Sequence, residues 1–144
     1  MPTSEPSACV LDTHAWIWAV HGDARRFGRA AWRVLQRAEI AVVPAVSLYE
    51  AANMVVRGRM ELDRPLEPWM EDATTAPYAV AEITAEVAIA AAALEHEGFH
   101  GDPADRMVYA TARVLDLPLL TADASIRAFD RSLPRSRGRR VVWG

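Results

Sequence analysis

Short apolar runs alternate with longer amphipathic stretches over almost the whole chain, and this alternation restricts the folds that the chain can adopt. Apolar runs of this length are typical of buried strands. They predict strands at residues 8–11, 40–43, 78–83 and 117–120, with a fifth, edge strand at residues 141–143. Helical spacing of the apolar residues between them predicts helices at residues 28–38, 46–56, 84–95 and 103–114. The expected fold is therefore α/β, with a mainly parallel four- or five-stranded sheet flanked by helices.

The composition is that of one globular domain, which we expect to span residues 1–144. Hydrophobic residues make up 51% of the chain and charged residues 24%, which excludes a disordered chain and a fibrous repeat. The longest apolar run, residues 87–94, is too short to cross a bilayer, and residues 1–6 lack the basic and apolar regions of a signal peptide. Because Cys9 is the single cysteine, no internal disulfide can form. These features favour a cytoplasmic protein without a membrane partner.

The charged residues exclude several classes of α/β protein. All 16 basic residues are arginines and 19 residues are acidic, so the net charge is −3 and lysine is absent. Receiver domains gather acids at the end of a parallel sheet but need a lysine. Haloacid-dehalogenase phosphatases need Asp-x-Asp after the first strand, whereas position 14 is histidine. The glycine motifs of P-loop and Rossmann proteins are also missing.

Acidic residues recur where predicted strands end and predicted helices begin. Their positions along the chain are Asp12, Glu50, Asp102, Asp105 and Asp123. Ligands of parallel α/β sheets bind outside the carboxyl ends of the strands, so we expect these acids to converge there. A cluster of like charges is costly unless a cation neutralises it.

Helix capping is the alternative explanation for each acid taken singly. Asp12, Asp102 and Asp123 stand at predicted N-caps, and Ser47 to Glu50 reads Ser-x-x-Glu, a capping box. Glu50 fits a solvent-facing cap poorly, because its helical neighbours are apolar, and an acid among them must be paired, neutral or metal-bound. Carboxylate clusters suit Mg²⁺ or Mn²⁺, and the natural chemistry of such a site is metal-assisted phosphodiester hydrolysis.

Four sequence blocks resemble a known family in order and spacing. They read Val-Leu-Asp-Thr-His-Ala-Trp-Ile-Trp, Ser-Leu-Tyr-Glu-Ala-Ala, Gly-Asp-Pro-Ala-Asp-Arg-Met-Val-Tyr-Ala-Thr-Ala and Leu-Leu-Thr-Ala-Asp. Together they resemble PIN domains, and more closely the VapC-type ribonuclease toxins of bacterial toxin–antitoxin pairs. The resemblance implies a three-layer sandwich in which four positions carry the family's catalytic, metal-binding acids: Asp12, Glu50, Asp105 and Asp123. Asp102 matches an additional acid found in part of the family and is a further candidate metal ligand.

The resemblance also implies an activity and partners. The implied activity is that of an endoribonuclease that uses Mg²⁺ or Mn²⁺. The implied partners are an RNA substrate, a cognate VapB-type antitoxin and a second copy of the chain in a homodimer. Thr13 and Thr121 stand where small hydroxyl residues support the acids, although a cap or turn role explains them equally well. The competing interpretation is a non-catalytic PIN-like module that binds RNA or protein without cleaving it.

One metal motif in the sequence is expected to be accidental. Residues 96–100 read His-Glu-x-x-His, the zinc-protease signature, which needs both histidines on one continuous helix. Gly98 interrupts that helix, so we expect His100 to lie in a loop.

The basic and aromatic residues leave two explanations open in each case. Four arginines are predicted to share one face of a helix that starts near Arg25, and they either track an RNA backbone or form a solvated face: Arg26, Arg29, Arg33 and Arg37. The cluster between Arg135 and Arg140 either contacts RNA or is a solubilising loop. Trp16 and Trp18 either pack in the core or, with the helix at residues 46–56, line an apolar groove for a partner.

Overall fold

The computed structural model describes residues 7–144, so the expectation about a signal peptide at residues 1–6 lies outside the described part. Five strands form one sheet: β1 (Ala8–Leu11), β2 (Ile40–Pro44), β3 (Tyr78–Ala81), β4 (Leu119–Leu120) and β5 (Val141–Val142). All strand positions agree with the expected ones, but β3, β4 and β5 are shorter and β2 is one residue longer. β4 starts only after Pro118, which has no N–H to donate to a neighbouring strand.

Seven α-helices surround the sheet in the described residues. They are α1 (Thr13–Val20), α2 (Arg29–Arg37), α3 (Ala45–Val56), α4 (Leu66–Ala73), α5 (Ala85–Ala93), α6 (Pro103–Leu115) and α7 (Ala124–Ser132). The apolar pattern did not assign α1, α4 or α7, although the predicted N-caps Asp12 and Asp123 marked the starts of α1 and α7. α4 contains Pro68, which lies in the first helical turn, where a missing N–H costs nothing. Within residues 7–144, no helix is both long enough and apolar enough to span a membrane.

The sheet is entirely parallel, in the order β3-β2-β1-β4-β5. Side chains of each strand alternate between two layers of helices, which confirms the three-layer architecture. Val10 and Val42 pack with residues of α5, α6 and α7, whereas Leu11 and Val43 pack on the other side with residues of α1, α3 and α4. The central strands β1 and β2 are therefore buried on both faces, as parallel strands usually are.

The pairing of β1 with β4 determines where the acidic residues meet. Leu11 is aligned with Leu120, so the next residues, Asp12 and Thr121, leave the sheet side by side. The backbone N–H of Asp12 continues the pairing by donating to the Leu120 carbonyl at 3.2 Å. The ends of two strands that are far apart in sequence thus become neighbours at the carboxyl edge of the sheet.

The last strand, β5, is held in place by a buried carboxylate and by arginines whose role the sequence left open. Asp130 is 4% exposed and accepts hydrogen bonds from Tyr109 Oη at 2.7 Å, Arg140 N at 2.9 Å and Val141 N at 3.2 Å. Arg139 donates to the carbonyls of Leu133 and Arg131, and Arg140 to those of Ala112 and Leu117. These two members of the basic cluster therefore have a structural role, because their guanidinium groups are engaged by backbone.

The C-terminal segment also packs closely on the start of α2. The Trp143 carbonyl accepts from Ala31 N at 3.1 Å, and a Cβ at Gly28 would lie 2.0 Å from that carbonyl oxygen. A methyl group at Gly28 would have to displace the backbone of Trp143.

We expect Gly28→Ala to lower the free energy of unfolding by about 1–3 kcal/mol, the usual cost of overpacking. Urea unfolding measures the change. Gly144→Ala, where a Cβ meets no atom, serves as the control and stays within about 0.5 kcal/mol of wild type.

Candidate active site

A cleft of about 370 Å³ opens at the carboxyl edge of the sheet and collects the predicted acids. All five line it: Asp12, Glu50, Asp102, Asp105 and Asp123. Thr13, His14, Trp18, Val108 and Ala122 complete its walls. The expectation that the acids converge is therefore met, although they come from four separate segments of the chain.

Capping and convergence turn out to be the same arrangement. Asp12, Asp102 and Asp123 are the N-caps of α1, α6 and α7, and each accepts a backbone N–H of its helix at 2.8 to 2.9 Å. A helix N-terminus carries partial positive charge, which favours a nearby carboxylate. Three helices therefore begin at the cleft, and their caps bring the acids into it.

Asp12 is the most rigidly held of the acids. Its side chain is only 8% exposed, Oδ1 accepts from Ala15 N at 2.8 Å, and Oδ2 accepts from the hydroxyl of Thr121. The same Thr121 hydroxyl accepts the backbone N–H of Asp123 at 3.0 Å. Burial raises the pKa of Asp12, and its hydrogen bonds oppose that shift. Thr121 therefore has both roles, because its hydroxyl donates to the Asp12 carboxylate and closes a turn by accepting from Asp123 N two residues later.

Glu50 is held from the neighbouring helix. Thr13 Oγ1 donates to Glu50 Oε1 at 2.6 Å and is also 2.8 Å from Ser47 Oγ. Since a hydroxyl has one proton, Thr13 accepts from Ser47 while it donates to Glu50. The capping-box interpretation of Ser47 and Glu50 is wrong. α3 begins at Ala45 after Pro44, so Ser47 lies inside the first turn, where its buried hydroxyl faces Thr13 instead of capping the helix.

The cleft raises the pKa of Asp105 as well as that of Asp12. Asp105 is half-buried, and its carboxylate has no hydrogen-bond partner in the described part of the chain. Burial, followed by the charges of Asp102, Asp123, Glu50 and Asp12, raises the pKa of Asp105 to about 7. Burial is the larger cause of the shift, and repulsion among the clustered carboxylates adds to it.

The donor set fits a hard divalent cation in type and charge. Five carboxylates line the cleft beside a single imidazole, that of His14, and carboxylate oxygen suits Mg²⁺ or Mn²⁺ rather than softer metals. Within residues 7–144, no three histidine, cysteine, aspartate or glutamate side chains are grouped closely enough to hold an ion as they are placed. An ion would therefore have to draw the carboxylates inward, and Asp105 is the one that no hydrogen bond restrains.

The zinc-protease motif is not a metal site. His96 lies in a short 3-10 helix that ends at Gly98, whose φ is 94°, and His100 follows outside any helix. This agrees with the expectation. The left-handed conformation of Gly98 breaks the helix between the two histidines, so they do not share the face that the motif requires.

The predicted arginine stripe is broken at its start. α2 begins at Arg29, so Arg25 and Arg26 belong to a separate 3-10 helix, Ala24–Arg26. Arg26 pairs with Asp23 at 3.2 Å, and its guanidinium lies 5.6 Å from the ring centroid of Trp18. Only Arg29, Arg33 and Arg37 share a helix. The helical prediction failed at Phe27 and Gly28 because both adopt extended backbone.

The two tryptophans have different roles. Trp16 is fully buried and donates from Nε1 to the Ala73 carbonyl at 2.9 Å, so it is a core residue. Trp18 is partly exposed and lines the cleft beside His14, with ring centroids 5.8 Å apart. Neither His14 nor Trp18 could be assigned to the site from the sequence. The only signal was that they lie two and six residues after Asp12, respectively.

Comparisons with known proteins agree with the fold. The family model described as PIN domain matches residues 9–132. The chain belongs to the PIN-domain family, which confirms the resemblance seen in the four sequence blocks. The cleft acids Asp12, Glu50, Asp102, Asp105 and Asp123 all fall within the matched range.

Within that family, the chain is similar to ribonucleases of the VapC type. It is 33% identical to ribonuclease VapC22 of Mycobacterium tuberculosis over 125 residues, which cover 87% of this chain and 94% of that protein. Two solved structures share the fold. One is a toxin–antitoxin complex from Klebsiella pneumoniae (TM-score 0.62, 16% identity, covering 93% of this chain and 95% of that one). The other is VapBC2 from Rickettsia felis bound to a DNA fragment from their promoter (TM-score 0.65, 11% identity, 95% and 99% covered).

The raised pKa of Asp105 predicts a pH-dependent stability in the absence of metal. Because the folded state favours the neutral acid, this contribution to stability is complete below about pH 4 and is lost as the pH rises through about 7. In chelator, we expect the free energy of unfolding to fall between about pH 4 and pH 7, with Asp105 accounting for about 1–2 kcal/mol after solvent screening. Urea unfolding across this range measures the slope.

Asp105→Asn should flatten that slope, because the variant removes the titrating group. Asp116→Asn is the matched control. Asp116 is 94% exposed at the far end of α6 and has a positive φ that asparagine tolerates. Equal pH slopes in all three proteins would contradict the account.

Proposed function

We propose that the chain is a divalent-metal-dependent endoribonuclease, using Mg²⁺ or Mn²⁺, and that it is the toxin of a VapBC-type toxin–antitoxin pair. The observation that carries the proposal is the convergence of Asp12, Glu50, Asp105 and Asp123 in one cleft of a PIN domain. The 33% identity to ribonuclease VapC22 supports the activity. Metal-assisted hydrolysis of a phosphodiester needs a cation beside the scissile phosphate, and the carboxylate-rich, solvent-accessible cleft supports such a site.

Each acid has a distinct part in the proposed reaction. Asp12 is fixed by two hydrogen bonds and is the rigid ligand, whereas the unrestrained Asp105 and the cap Asp123 complete the ligand set. Glu50, oriented by Thr13, holds an ion or positions the attacking water. A divalent cation bound there lowers the pKa of water and neutralises charge that develops on the phosphate. Asp102 is exposed at the mouth of the cleft and is the outermost candidate ligand.

The proposed partners follow from the relatives. Both structural neighbours are toxin–antitoxin complexes, which supports a VapB-type antitoxin as the protein partner. RNA is the proposed substrate because the named relative is a ribonuclease. We also propose a homodimer, which sedimentation of the purified chain tests directly.

The charge of the chain is compatible with an RNA substrate. Setting aside the four catalytic acids leaves 15 acidic residues against 16 arginines. The acidic excess is therefore concentrated in the cleft that a cation neutralises, and the rest of the molecule does not repel a polyanion by its net charge.

Removal of Asp12 tests the catalytic role. With Mg²⁺ or Mn²⁺, we expect the wild type to cleave single-stranded RNA and Asp12→Asn to be at least about 100-fold slower, because the fixed ligand loses its charge. The assay is the rate of product formation on a denaturing gel, and chelator should stop the wild type. Asp116→Asn, an identical substitution remote from the cleft, should cleave at the wild-type rate. If Asp12→Asn cleaves as fast as wild type, the cleavage does not depend on Asp12 and the proposed site is wrong; if the wild type does not cleave, the chain is a non-catalytic module.

Metal binding should also be visible without a substrate. A ligand that binds only the folded state stabilises it by about 2.7 kcal/mol at 100 times its dissociation constant. We expect the melting temperature of the wild type to rise with Mg²⁺ concentration, and the increase to be much smaller in Asp105→Asn. Calcium-free buffers of constant ionic strength separate the effect of Mg²⁺ binding from the general screening of charges by salt. An equal increase in wild type and Asp105→Asn would mean that the stabilisation is non-specific.

A further inference from the structure

A second depression runs out of the catalytic cleft across the surface of α3 and α6. It has a volume of about 470 Å³ and shares Thr13, His14, Glu50 and Asp102 with the cleft, so the two are continuous. Three other depressions of the surface share no lining residue with the cleft. When the reacting phosphate of a polymer lies among the acids, the rest of the polymer has to continue along the protein surface. This groove is continuous with the cleft and offers such a path.

The walls of the groove combine an exposed aromatic ring, apolar side chains and a cation. Tyr49 of α3 is 70% exposed, an unusual exposure for an aromatic ring that makes no hydrogen bond in the described part of the chain. Met54 and Met107 line the groove as apolar wall, and Asn53 adds an amide. Arg59 also lines it, is exposed, and has no carboxylate within 4 Å among residues 7–144. Tyr49, Asn53, Met54 and Arg59 belong only to the groove and not to the catalytic cleft.

We propose that this groove binds the single-stranded RNA beside the cleaved bond, with Tyr49 stacking on a base and Arg59 binding a backbone phosphate. The inference rests on the proposed ribonuclease function and extends it to a specific RNA-binding surface. Proteins that bind single strands combine aromatic side chains, on which bases stack, with cations that follow the backbone. Both elements lie here next to each other, on a surface that begins at the catalytic acids.

Charge favours RNA over a protein segment as the occupant. The groove has carboxylates where it joins the cleft and an unpaired arginine in the part that belongs to the groove alone. A phosphate chain needs cation neutralisation at both places, by metal at the acids and by arginine farther along. An apolar helix of a protein partner would leave Arg59 without a counter-charge.

The chain offers matched controls for both residues. Val56 lies on α3 with a 78% exposed side chain and does not line the groove, so Val56→Ala matches Tyr49→Ala as the loss of an exposed apolar side chain. Arg57 is exposed at the end of α3 and bonds to Asn53 at 3.2 Å, but it does not line the groove either. Arg57→Gln therefore matches Arg59→Gln in charge and in distance along the chain.

The test measures binding of a fluorescein-labelled, mixed-sequence 15-nucleotide RNA by anisotropy, with Mg²⁺ present and with every protein carrying Asp12→Asn to prevent cleavage. We expect Tyr49→Ala to weaken binding about tenfold and Tyr49→Phe to restore it, because stacking needs the ring and not the hydroxyl. Arg59→Gln should weaken binding about fivefold and reduce the slope of log K against log salt by about 0.7, the value for one phosphate contact. Val56→Ala and Arg57→Gln should change binding less than twofold.

The same substitutions in the otherwise native chain should raise KM for RNA cleavage and leave kcat within about twofold. If Tyr49→Ala and Arg59→Gln bind and cleave RNA like wild type, the groove is not an RNA surface, while the proposed nuclease stands. Equal losses in the matched controls would mean that general charge or stability is responsible, which also overturns the inference. Unchanged RNA binding together with a lost dimer in Tyr49→Ala would assign the groove to a protein interface. If wild type neither binds nor cleaves RNA, the proposed function itself fails.

Discussion

The parallel pairing of β1 with β4 is the constraint on which the site depends. It aligns Leu11 with Leu120 and so places Asp12 beside Thr121, two residues separated by more than a hundred positions in the chain. The fully buried Thr121 hydroxyl then joins the two strand ends by donating to Asp12 and accepting from Asp123 N. A shift of the β4 register by one residue would turn Thr121 away from Asp12 and separate the acids.

Helix N-termini make this acidic cluster tolerable in the folded protein. Asp12, Asp102 and Asp123 each receive a backbone N–H and face the positive end of a helix, which offsets part of the cost of burial and repulsion. Asp105 lacks such a partner, and burial together with the charges of the neighbouring acids raises its pKa to about 7. Because no hydrogen bond fixes its carboxylate, Asp105 suits a ligand that must adjust its position to bind a cation.

Much of the fold and the identity of the acids could be predicted from the sequence. Apolar runs predicted every strand, because β1, β2 and β4 are almost wholly buried and the partly exposed edge strands β3 and β5 are apolar as well. Asp12 and Asp123 follow strands, whereas Glu50 lies in α3 and Asp102 and Asp105 are at the start of α6. Capping and metal binding looked like competing explanations, yet the structure shows that the caps of α1, α6 and α7 are the acids of the cleft. Local patterns cannot separate the two roles, because both need a carboxylate at a helix N-terminus.

Features that depend on tertiary packing could not be predicted. Ser47 resembled a cap because Ser-x-x-Glu is a local pattern, but Pro44 starts α3 three residues earlier and the hydroxyl bonds to Thr13 across the cleft. Arg139 and Arg140 looked like free charges, whereas their partners are backbone carbonyls brought near by folding. The groove at Tyr49 and Arg59 likewise exists only because α6 packs beside α3.

The central claim is that the four acids act as one cation site, and equilibrium binding of Mn²⁺ tests it most directly. Electron paramagnetic resonance reports free Mn²⁺ in a titration of the wild type, Asp105→Asn and Asp116→Asn at constant ionic strength. The account predicts saturable binding to the wild type and to Asp116→Asn with the same affinity, and binding at least about tenfold weaker in Asp105→Asn. Absence of saturable binding in the wild type, or equal affinity in all three proteins, would contradict it.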